Sequence, residues 1–78
     1  MDLRKTLGEL LDIRSNEVAE YQLNISNYRR AIVKAKADPD LAEFTKQLEH
    51  LLTTSLIEQK KAQIMLDVIR EQLEEMEQ

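Results

Sequence analysis

The chain holds one proline, Pro39, and one glycine, Gly8. A fold with many turns is therefore excluded, and the residues around Pro39 become the natural place for a reversal. Asp38 before Pro39 reads as a helix start: the aspartate caps free backbone N–H groups, and proline suits the first helical position, where its missing donor costs nothing. Asp40 and Glu43 add negative charge at the positive end of the helix dipole. Before this point apolar residues recur at Leu3, Leu7, Leu10, Leu11, Val18, Tyr21, Ile25, Tyr28, Ile32 and Ala35, mostly at steps of three and four, which draws one stripe along a helix. After it a second stripe runs through Leu41, Phe44, Leu48, Leu51, Leu52, Ala62, Met65, Leu66, Ile69, Leu73 and Met76. Ser55 is that stripe's one small polar member, so the stripe is thinnest between Leu52 and Ala62. Asp2 and Thr6 are the two candidate caps of the first helix, and "DIRSNE" at 12–17 is its least regular part.

These patterns predict an all-α fold, a coiled-coil-like two-helix antiparallel hairpin. Helix one spans 3–36, the turn 37–38 and helix two 39–76, in a single domain over 1–78. Each helix would run roughly 50 to 55 Å at about 1.5 Å per residue. With a reversal at Asp38, residue i faces residue 77 minus i. Arg4 and Lys5 then meet Glu71, Glu74 and Glu75, Glu17 and Glu20 meet Lys60 and Lys61, and Lys34 meets Glu43. Such exposed pairs are each worth well under about 1 kcal/mol, but together they disfavour wrong registers.

A chain of 78 residues sits near the limit at which one core outweighs the entropy of ordering it. It has no cysteine, so neither disulfides nor thiolate metal sites can help, and its single histidine, His50, cannot build a usual zinc site. A glycine-rich phosphate loop needs more than one glycine, and a hairpin offers no concave pocket to shift a carboxylate. The sequence thus predicts no enzyme activity, no cofactor, no metal and no small-molecule substrate. No stretch approaches the roughly 18 consecutive apolar residues of a membrane span. The start "MDLRKTLGELLD" carries acids and no cleavage-site pattern, which points to a cytoplasmic protein without membrane contact. The net charge of −4 disfavours non-specific nucleic-acid binding.

Apolar surface to spare points to protein binding. At 100° per residue Ile57, Ile64 and Val68 fall together, nearly opposite the main stripe of helix two, and Leu23 and Val33 lie off the stripe of helix one. These five are the predicted partner-binding residues, for a second copy or another protein. Burying Ile57, Ile64 and Val68 would contribute about 1.5 to 3 kcal/mol each before the cost of association. Arg14 projects near the centre of helix one's stripe, with its stem along the seam and its charge in water, or paired with Glu58, Gln63 or Asp67. Arg29, Arg30 and Lys34, with Lys36, form the most basic patch, which complements the dipole at a helix C-terminus and is the candidate RNA contact.

An acidic, cysteine-free hairpin of this length with "ADPDLAEF" at its bend resembles the small helical-hairpin co-chaperones of type III secretion needle proteins. The resemblance runs from "LGELLDIRSNEVAEY" through "YRRAIVKAKADPD" to "LEHLLTTSLIEQKKAQIMLDVIREQ", and is one of length, layout and turn. It implies a larger helical-repeat chaperone as partner, held by the apolar faces that include Ile57, Ile64 and Val68. The layout is also similar to the homodimeric four-helix bundles of the Rop-like plasmid RNA-binding regulators, and a small phage-encoded inhibitor of a host protein fits the same sequence.

Overall fold

A computed structural model describes residues 2–77. Helix α1 runs unbroken over Leu3–Lys36, straight through residues 12–17. Asp2 is its cap: its Oδ1 accepts from the Lys5 N–H at 3.2 Å, while Thr6 is already inside the helix, donating its hydroxyl to the Asp2 carbonyl at 3.2 Å. At the bend the Asp38 carboxylate accepts from the Asp40 N–H at 3.0 Å. Pro39–Leu41 forms one tight 3-10 turn, and α2 proper covers Ala42–Met76. The second α-helix thus starts three residues later than the sequence predicts, because the aspartate cap and the proline first tighten the chain into that turn.

The two helices pack side by side as an all-α helical hairpin, 58 Å long and 17 by 14 Å in section. Its seam follows a strict alternation of three and four residues. From α1 come Leu7, Leu11, Arg14, Val18, Tyr21, Ile25, Tyr28, Ile32 and Ala35. From α2 come Thr45, Leu48, Leu52, Ser55, Gln59, Ala62, Leu66, Ile69 and Leu73, and every residue of both series is buried or half-buried. This is a 3.5-residue repeat, the signature of helices that underwind to keep one face on a partner.

Three sequence expectations are corrected here. Phe44, Leu51 and Met65 are not in the seam: they stay 47, 43 and 48 % exposed. A straight helix turning 100° per residue places them with Leu48 and Ile69, but underwinding hands the seam to Thr45 and Gln59 instead. The register differs as well. Ile32 clusters with Leu48 and Val18 with Ala62, and the Arg4 Nη2 donates to the Met76 carbonyl at 3.2 Å, so facing residues sum to about 80 and not 77. The 3-10 turn moves the centre of reversal from Asp38 to about Asp40. Consequently the predicted inter-helix charge pairs do not form. Among the described residues the ion pair between helices is Lys36–Glu49 at 3.9 Å, whereas Arg14–Glu17, Lys46–Glu43 and Lys61–Glu58 lie within single helices.

Candidate functional site

The 3.5-residue repeat divides the hairpin into two flanks, one on each side of the seam. One flank is built from the residues immediately preceding every second seam position, Leu10, Glu17, Asn24 and Ala31 on α1 and Phe44, Leu51, Glu58, Met65 and Gln72 on α2, with Leu3 one heptad before Leu10. Glu17, Glu58, Lys61 and Met65 line one small groove of about 170 Å³, which puts both helices' contributions on the same side. The opposite flank carries Gln22, Arg29 and Lys36 from α1 and Glu49, Leu56 and Gln63 from α2. The first flank carries the larger apolar side chains, interrupted by Glu17, Asn24, Glu58 and Gln72, and the second is polar apart from Leu56.

The apolar flank does not stop at its own row. On α2 Val68 follows Met65 by three residues and Ile64 by four, so these side chains are neighbours on the helix surface. Ile57 precedes Ile64 by two turns. The predicted residues Ile57, Ile64 and Val68 are all exposed, and they extend the flank around the back of α2. On α1 Ile13, also exposed, widens it beside Leu10. Leu23 and Val33 are exposed too, Val33 to 72 %, but they stand on the outer side of α1 and are not brought together with the α2 residues or with each other. The five predicted residues therefore do not form one surface. Phe44, Leu51, Met65, Leu3, Ile13, Leu41 and Met76 are the large exposed apolar residues that sequence reasoning missed. Counting the seam through its polar members Thr45 and Gln59 would have found the first three.

Arg14 occupies a seam position with its side chain 32 % exposed. Its guanidinium donates to Glu17 Oε1 at 2.8 Å, on its own helix, while the Nε is buried with no acceptor. Glu58 and Asp67 are taken by Lys61 at 3.0 Å and Gln63 at 2.9 Å, so none of the three residues expected to pair with Arg14 across the seam does so.

On the polar flank Arg29 and Arg30 line an open groove of about 550 Å³ with Gln22, Ser26, Leu56 and Gln59, over the thin Ile25 and Ser55 part of the seam. Lys34 does not line that groove. Tyr28, the one aromatic beside the basic patch, packs against the cluster of Ile32, Ala35 and Leu48. Among the described residues no group of three or more His, Asp or Glu side chains could hold a metal ion, and no helix is long and apolar enough to cross a membrane. Comparison with family models, with curated proteins and with solved structures returns no match, so the functional reading rests on the surface of the hairpin itself.

Proposed function

We propose that this chain is a non-enzymatic protein–protein interaction module of the cytoplasm that works by burying its apolar flank against another helical chain. The observation that carries the reading is the one-sidedness of the flank: Phe44, Leu51 and Met65 are half-exposed in one row, continuous with Val68, Ile64 and Ile57. Scattered surface hydrophobes are ordinary, but a mostly apolar row beside an existing helix seam, broken on α2 by Glu58, is a place where a further helix completes a bundle. The internal seam supports the same reading, since Thr45, Ser55, Gln59 and Arg14 interrupt it and no side chain among the described residues is completely buried.

In its co-chaperone-like form the partner is a different, larger helical protein, as the type III secretion resemblance implies. In the alternative form the partner is a second hairpin, giving a homodimeric four-helix bundle with a regulatory or inhibitory role. RNA contact through Arg29, Arg30 and Lys34 has less behind it: Tyr28 is engaged in the seam, which leaves no ring for a base to stack on.

The test is a photo-crosslinking residue placed at Leu51, with Val33 as the control position, in cells that express the chain. The expected result is a protein adduct from Leu51 and none from Val33. Equal labelling, or none at either position, would remove the interaction reading. The adduct's mass separates a second copy from a different protein.

A further inference from the structure

We propose that the groove on the polar flank is a second docking surface, for a helix of a partner protein that carries carboxylates beside an apolar side chain. The groove lies across the seam from the apolar flank, so it stands or falls separately from the function proposed for that flank. Charge along the chain is the first support. Of the 78 residues 15 are acidic, yet none lies between Tyr21 and Lys36, the bend-side part of α1, which holds Arg29, Arg30, Lys34 and Lys36. The helix dipole accounts for Lys34 and Lys36, which stand in the last turn. Its influence fades within that turn and does not extend back to Arg29 and Arg30.

Both arginines line the open groove of about 550 Å³, no acid shares its walls, and neither arginine is ion-paired among the described residues. Two cations in one groove repel each other, a modest cost in water that an anion between them removes. The remaining walls fit a carboxylate on an apolar support. Gln22, Ser26 and Gln59 supply neutral hydrogen-bonding groups, while Ile25, buried, and Leu56, half-buried, supply apolar surface between the helices. A helix laid along this groove would set a leucine-sized side chain on Leu56 and its flanking carboxylates on the two guanidinium forks. A free phosphate would use the arginines and leave Leu56 uncovered. Nucleic acid fits less well still, because Lys34 lies outside the groove and Tyr28 is packed in the seam, which leaves neither a track of cations nor a ring for stacking.

The experiment is fluorescence anisotropy on the full chain with a labelled helical peptide of about 20 residues, long enough to hold its helix, bearing a leucine stripe edged by glutamates. The glutamate peptide should bind, more weakly as salt rises, and its glutamine counterpart should bind at least about ten-fold more weakly. Arg29→Ala with Arg30→Ala should lower the affinity by about 30- to 100-fold, and Leu51→Gln on the apolar flank should leave it unchanged. Arg29→Glu with Arg30→Glu should switch the preference to a peptide with lysine in place of glutamate. All three positions are exposed, so helical circular dichroism should be retained in every variant. A glutamate peptide that does not bind, or that binds wild type and the arginine variants alike, overturns the proposal. Loss with Leu51→Gln and not with the arginine pair also overturns it and places the peptide on the apolar flank instead. Equal affinity for a uridine oligonucleotide, or displacement of the peptide by inorganic phosphate where chloride of the same ionic strength does not displace it, overturns a protein helix as the occupant.

Discussion

The two flanks of this hairpin are made by the same repeat and exposed to the same solvent, yet they differ in kind. Beside the seam on one side stand Phe44, Leu51 and Met65, half-exposed in a row. On the other stand Gln22, Arg29, Lys36, Glu49 and Gln63, with Leu56 the one large apolar member. A hairpin needs a single seam, and both flanks could be polar at no loss to the fold. The difference shows that stabilising the hairpin is one task and presenting an apolar surface is another, carried by adjacent columns of the same helix.

The largest expected effect comes from the seam, which both flanks share. Leu66, 3 % exposed in the cluster with Val18 and Ala62, should cost about 2 to 5 kcal/mol when cut to alanine. Urea denaturation measures it, and a loss under about 1 kcal/mol would mean that the seam is elsewhere. Next comes the direct contrast of flanks. In the homodimeric form the melting midpoint of the wild type should rise with protein concentration, as it does for any chain stabilised by self-association. Leu51→Glu with Met65→Glu should abolish that dependence, and Arg29→Glu on the polar flank should leave it intact. If both respond alike, the flanks are not functionally distinct.

A smaller effect is expected where the polar groove overlies the thin part of the seam. Gln59 holds a half-buried seam position, and Gln59→Leu should stabilise the hairpin by about 1 kcal/mol by adding apolar burial opposite Tyr21. Thermal melts at fixed concentration would show it, and a fall in stability would mean that the glutamine amide makes bonds that matter there. The smallest effect belongs to the polar flank's inter-helix ion pair. Lys36 and Glu49 are 3.9 Å apart and both more than half exposed, so Glu49→Ala should change stability by less than about 0.5 kcal/mol. A larger loss in low salt that vanishes in high salt would show the polar flank contributing more than its geometry implies.

Much of this architecture is legible in the order of residues because its causes are local. Asp2 and Asp38 cap whatever helix follows them, Pro39 cannot sit deep in one, and a chain with one glycine and no run of β-branched residues propagates helix on both sides of the bend. Ile57, Ile64 and Val68 are legible as exposed for the same reason, since they stand far enough from every seam position that a few degrees of twist per turn do not matter.

Phe44, Leu51 and Met65 are different. They lie one residue from Thr45, Leu52 and Leu66, and choosing between the two columns requires knowing whether the helix turns every 3.6 or every 3.5 residues. Only the presence of the partner helix decides that, because underwinding is the response of a helix to a long seam. The register was undetermined for a similar reason: the 3-10 turn of Pro39–Leu41 shifted every facing pair by about three, and the expected charge pairs went with it. Sequence alone determined that the chain is two long helices joined at Asp38 and Pro39. Tertiary packing decided which apolar column closes the hairpin and which is left outside it, since that choice is made by contact between the helices and not by either one.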